Sequence, residues 1–185
     1  MGAKRKRNPK RRMIVPAKAN IPGSKSYIGN SDGPAPRHRA GMDEWIRQAV
    51  ETCPALWNNG SYGQRDMRGK PGSLSVHATG RAVDLSYRHL DGKGIPNGRK
   101  TALGFINLCA MNGNDLGIQA VLDYFPKPFG RGWRCDRQKW SRYSKPVIGG
   151  APGGDWVHFE LSPEFADSPA LVRAAWLKVF GVIHN

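Results

Sequence analysis

Apolar positions recur at helical spacing in three stretches of the chain. Trp45, Ile46, Ala49, Val50 and Cys53 fall on one face; Asp43 is the expected N-cap and Pro54 ends the pattern. Leu103, Ile106, Leu108 and Ala110 mark a second helix over Thr101 to Met111, stopped by Asn112-Gly113. The third runs from Ser168 to Phe180, with Ser168 as cap, Pro169 at the first helical position and Gly181 after the end. Leu171, Val172, Ala175, Trp176 and Val179 form its buried face.

Elsewhere the pattern alternates, as in half-buried strands. Ala82 and Asp84 share one face of Arg81 to Tyr87, with Val83 and Leu85 opposite. Trp156, His158 and Glu160 share a face against Val157 and Phe159. Ile118 to Tyr124 reads as a further strand, and Ser61 to Arg65 as a short one after an Asn58-Asn-Gly60 turn. Asp66 to Ser73 and Arg88 to Arg99 read as exposed loops. These elements predict one α+β domain, roughly Gly41 to Asn185, with a small antiparallel sheet packed by helices.

Charge changes the picture at the N-terminus. The 185-residue chain carries a net charge of +15 and a pI near 10.2. Lys4, Arg5, Lys6, Arg7, Lys10, Arg11 and Arg12 supply much of that excess, with no acid among them. Such a block repels itself and predicts a disordered arm over residues 1–40, whose Ile14 to Gly41 part is a Pro/Gly-rich linker. Ile14, Val15, Ile21 and Tyr27 are the residues able to dock it on the domain. Its expected partners are nucleic acid or an anionic envelope polymer. Three widely spaced cysteines form neither a disulfide framework nor a Cys-x-x-Cys zinc site. No apolar run is long enough to span a bilayer, and no apolar stretch after the basic start suggests a secretory signal.

The candidate chemistry lies on the alternating stretches. His77 and Asp84 are nitrogen and oxygen donors that zinc accepts, and Gly80 between them allows the chain to turn so that both face one point. His158 on the second strand completes three protein ligands with one position open, the arrangement of a catalytic zinc. Asp155, approached through Gly149, Gly150, Gly153 and Gly154, is the candidate general base, and Glu160 the partner that orients an imidazole. Phe125 to Lys145 interleaves aromatics with bases. Either Trp133 and Trp140 form a recognition surface for sugars or bases, or they pack on the core beneath solvated charges.

Ser75-x-His77-x-x-Gly80-x-Ala82-x-Asp84, followed downstream by Asp155-x-x-His158, resembles the zinc peptidases that cut bacterial cell-wall peptides. These include D-alanyl-D-alanine carboxypeptidases, vancomycin-resistance dipeptidases and phage L-alanyl-D-glutamate endolysins. The resemblance spans roughly Asp43 to Leu161. It implies zinc on His77, Asp84 and His158 and Asp155 as base; Ser75 and Glu160 are the expected supports of the ligands. It also implies an upstream arginine near the substrate carbonyl. That is Arg65 in Ser61-Tyr-Gly-Gln-Arg65, with Arg68 the alternative, because the family's Tyr-Arg order is interrupted here. Many carboxypeptidase-type members carry Glu at the base position, so Asp155 aligns the chain with the endopeptidase branch. The implied partner is peptidoglycan, reached from the host cytoplasm through a hole made by a holin, or as part of a virion. D-Ala-D-Ala carboxypeptidase is the nearest alternative. A nucleic-acid-binding or virion structural protein using the zinc fold as scaffold is the alternative of another class.

Overall fold

The computed structural model describes residues 25–147 and 153–184. Helix α1 (Ala40–Thr52) leads to strand β1 (Trp57–Gly60), then to β2 (Asp66–Met67) and β3 (Lys70–Leu74), a separate two-stranded hairpin. A short 3₁₀ turn (Val76–Thr79) precedes β4 (Ala82–Ser86), and α2 (Gly98–Met111) follows. The chain continues through β5 (Ile118–Asp123), β6 (Arg131–Arg134), β7 (Lys139–Arg142) and β8 (Trp156–Leu161) to α3 (Pro163–Asp167) and α4 (Pro169–Phe180). The main sheet has the order β1-β4-β8-β5-β6-β7 with every neighbouring pair antiparallel. The expected α+β class and antiparallel sheet are therefore present.

Register decides which side chains meet. Asp84 pairs with His158, and His158 with Leu122, so these three share one face. Val83, Phe159 and Val121 pair across the same strands and share the other. That second face carries the core: Phe159 meets Trp45 of α1 at 5.0 Å between ring centroids, and Trp45 meets Trp176 of α4 edge-on at 5.5 Å. Each such fully buried aromatic contributes about 1.5–3 kcal/mol of burial. The helices cover this face, leaving the Asp84–His158 face to form the site.

Element ends depart from expectation for local reasons. α1 starts at Ala40 with Arg39 as N-cap, while Asp43 lies in the first turn and contacts His38. Gly41 explains the early start: a Cβ there would sit 2.0 Å from the Phe165 carbonyl oxygen, so only glycine lets α1 cross α3 so closely. α2 begins at Gly98, ahead of the expected Thr101. In α4 the Ser168 hydroxyl accepts from the Leu171 backbone N–H and Gly181 ends the helix at φ 70°, as the sequence predicts. Leu171, assigned to the buried face, is exposed; Val172, Ala175 and Trp176 are buried.

Two loop assignments are overturned. Asn58-Asn-Gly60 is not a turn but part of β1, because the open edge of β4 offers hydrogen-bond partners that outweigh local turn preference. Asp66 to Ser73 falls within the β2–β3 hairpin, while Ser61 to Arg65 carries no strand.

The described part of the N-terminal arm, residues 25–39, is built into the domain. Arg81 is fully buried, holds Asp32 through two bonds of 2.8 and 2.9 Å, and donates to the backbone carbonyls of Leu161 and Gly29. Arg39 reaches back to Asp167 at 2.6 and 2.7 Å, and the Ala35 N–H donates to Ala78 O at 2.8 Å. Tyr27 packs against the core as expected. The basic block, Ile14, Val15, Ile21, Gly149 and Gly150 lie outside the described residues. No helix among the described residues is long and apolar enough to cross a membrane.

Candidate metal centre

The 3₁₀ turn presents His77. Ser75 caps it, its hydroxyl accepting from the His77 backbone N–H at 3.3 Å, and Gly80 closes it in the left-handed region at φ 71°. That conformation is open to glycine and costly for other residues, and it swings the chain into β4 so that Asp84 comes back towards His77. His158 stands across the β4–β8 ladder from Asp84. One donor atom from each of His77, Asp84 and His158 lies within 4.8 Å of the others. The three expected ligands therefore converge at one point.

Each imidazole has one nitrogen tied down and the other turned inward. His77 Nδ1 donates to the Ser61 carbonyl at 2.5 Å, leaving Nε2 3.5 Å from Asp84 Oδ2. His158 Nε2 donates to Glu160 Oε1 at 3.1 Å, leaving Nδ1 2.9 Å from Asp84 Oδ1. A carbonyl or carboxylate behind the remote nitrogen is how metal-binding histidines are oriented and made more basic. Two nitrogens and a carboxylate fit a divalent ion of the zinc type. The geometry is that of a site able to hold a metal ion.

The same groups shift one another's titration. Burial pushes the His158 pKa down, but the bonds to Asp84 and Glu160 outweigh it and bring the pKa to about 10. Burial pushes the Asp84 carboxyl up, yet the bonds from His158 and His77 hold it well below the usual carboxylate range. Glu160 is likewise held down by His158 against its burial. Tyr27, from the N-terminal arm, lies near this carboxylate: burial first, then the charge of Glu160, pushes its phenol up.

The cluster sits in a cleft of about 170 Å³. Tyr124 and Trp156, with rings 5.3 Å apart, form one wall. The β2–β3 hairpin forms another and brings Arg65, Arg68 and Lys70 to the mouth. The hairpin is anchored to the motif by the Ser75 N–H, which donates to the Arg65 carbonyl at 3.0 Å. Both arginine candidates therefore line the cleft.

Asp155 is placed differently. Its carboxylate is gripped by Arg88, with Nε to Oδ2 at 2.5 Å and Nη2 to Oδ1 at 2.9 Å, and it does not line the cleft. The Arg88 bond holds its pKa below the ordinary value. Trp133 and Trp140 are not near the metal cluster. They pair directly across β6 and β7 on the core face, so they lie behind the sheet relative to His158. Trp133 is buried core, and Trp140 is half-buried beneath the Arg131 guanidinium. For Trp133 the packing alternative holds, because the β6–β7 stretch extends the main sheet instead of forming a surface insertion.

Sequence reasoning missed the Ser61 carbonyl, the Tyr124 wall, Lys70 and the Arg88 grip. A backbone carbonyl leaves no side-chain signature, and Tyr124 was readable only as the end of an apolar strand. Searches of protein families, curated proteins and solved structures return no match to the chain.

Proposed function

We propose that the protein is a zinc-dependent peptidase acting on the stem peptides of bacterial peptidoglycan, of the L-alanyl-D-glutamate endopeptidase kind. The observation that carries this reading is the convergence of His77 Nε2, Asp84 and His158 Nδ1 at an open cleft, with both remote imidazole nitrogens anchored. Ser75, Gly80, Ala82 and the downstream Asp155-x-x-His158 add the peptidase resemblance.

Zinc held by His77, Asp84 and His158 would supply an acidified water and a Lewis acid for the scissile carbonyl. The chain's own residues supply the rest. Asp155, which lies outside the cleft and must leave Arg88 to reach it, would take a proton from the attacking water on its carboxylate and return it to the leaving amine nitrogen. The Arg88–Asp155 pair is solvent-facing, so opening it costs little. Arg65, or Arg68 beside it at the hairpin, steadies the negative oxygen of the tetrahedral intermediate. Glu160 keeps a proton on His158 Nε2 so that Nδ1 stays turned inward.

The test is digestion of purified peptidoglycan by zinc-loaded protein, with mass analysis of the fragments. New amino termini at D-glutamate, lost on chelation and restored by zinc, are expected. Release of free D-alanine alone would assign a carboxypeptidase. No cleavage, together with steeply salt-dependent DNA binding, would favour the nucleic-acid reading that the +15 charge supports.

A further inference from the structure

The sheet has a second concavity on the side away from the metal cluster. The end of α2 with its following turn and the β6–β7 hairpin enclose a groove of about 410 Å³, within the range of small-molecule sites. We infer that this groove binds a neutral N-acetylated sugar unit of a glycan, independently of any metal.

The floor of the groove is fixed. Gly113 lies against the Trp133 ring so closely that a Cβ there would fall 2.2 Å from it. Trp140 lines the wall; Arg131 stacks on its ring at 4.0 Å and holds it in place. Met111, 81% exposed, forms an apolar rim. Gln138 sits at the hairpin turn in the left-handed region, φ 49°, and its buried Nε2 has no hydrogen-bond partner among the described residues. A buried N–H donor without an acceptor costs free energy, so the groove gains from a ligand that brings one.

The chemistry selects the ligand. Asp115 is spent on Lys178 at 2.9 Å, and Lys139 is the basic residue of the lining, so among the described residues the groove lacks the cation cluster that a polyanion requires. A purely apolar ligand would leave Gln138 unsatisfied. An N-acetylated sugar offers C–H faces to indole and thioether and an acetamido carbonyl to Gln138 Nε2. Because the groove lies behind the sheet, occupancy there leaves the metal cleft open to a second part of the same polymer. The inference does not require that the cleft be a peptidase.

The experiment is an NMR titration of the labelled full chain with tetra-N-acetylchitotetraose, with zinc and again with a chelator. Saturable shifts at Met111, Gln138 and Trp140 are expected, with equal affinity in both conditions. Trp140→Ala should weaken binding by roughly tenfold or more. Met111→Glu, at a side chain largely in water, should do the same without disturbing the fold, and decides the matter if the tryptophan variant does not fold. The inference is overturned if no saturable shift occurs. It is equally overturned if shifts move to His77 and His158 and vanish on chelation, or if a single-stranded oligonucleotide occupies the groove in preference to the sugar. Binding that survives chelation while peptidoglycan cleavage is absent would sink the peptidase reading alone.

Discussion

Asp84 and His158 face one another across the β4–β8 ladder, with His158 Nδ1 2.9 Å from Asp84 Oδ1. Two of the three candidate ligands thus stand on paired central strands, whose spacing is set by backbone hydrogen bonds. The third, His77, depends on shorter-range devices: the Ser75 cap, the Gly80 turn and the Ser61 carbonyl.

This division predicts how metal affinity responds to mutation. His158→Ala should abolish tight zinc binding. Glu160→Gln should retain the site but lower affinity roughly 10- to 100-fold, because it weakens the acceptor that holds His158 Nε2. Competition against a chromogenic chelator measures both. Wild-type affinity in His158→Ala would place the metal elsewhere.

The Arg88 grip on Asp155 predicts a pH signature. Asp155→Asn should keep zinc and lose turnover. The Arg88 bond depresses the Asp155 pKa in the folded chain, so the wild-type carboxylate stays ionised to lower pH than a free one. Arg88→Ala removes that bond. The acidic limb of kcat/KM should therefore move to higher pH, since protonation then silences the base sooner. An acidic limb that stays in place, with an active Asp155→Asn variant, would mean that the base is another group.

The basic block supplies a separate prediction. Deleting Met1 to Arg12 removes seven positive charges and no negative ones: Lys4, Arg5, Lys6, Arg7, Lys10, Arg11 and Arg12. Binding to DNA or to an anionic wall polymer should weaken and lose much of its salt dependence, while cleavage of a small soluble peptide should be unchanged. Binding that keeps its strength and salt slope after the deletion would remove the tether role.

The His77–Asp84–His158 cluster was legible because its parts carry side-chain signatures. Strict alternation put His158 and Glu160 on one face, and a glycine between His77 and Asp84 announced the turn that joins them. What was not legible depended on distant backbone. Asn58-Asn-Gly60 has turn composition yet pairs as β1, since the β4 edge supplies partners that no local rule includes. For Trp133 and Trp140 the sequence left a recognition surface and core packing equally open, and the β6–β7 register placed both on the core face. Arg88 gave no warning of its hold on Asp155, 67 residues away.

Residues 25–39 read as a linker, and their attachment through Arg81 yields a further prediction. Arg81 lies inside the motif, between His77 and Asp84, and is fully buried. It ties Asp32 of the arm to the Leu161 carbonyl at the end of β8. Replacing it with methionine keeps much of the volume but leaves Asp32, at the surface, with Arg39 at 3.1 Å, and strips the Leu161 and Gly29 carbonyls of a donor. Leaving a buried carbonyl without its donor costs about 1–3 kcal/mol. Asp32→Asn should cost less, because Arg81 keeps both carbonyls and a neutral acceptor. Urea unfolding measures the difference as a fall in midpoint at constant slope. The Arg81→Met and Asp32→Asn effects should be non-additive in the double variant, because the two side chains share bonds. Additive losses would mean that Arg81 stabilises the fold through the carbonyls alone and that the arm is not held by this pair.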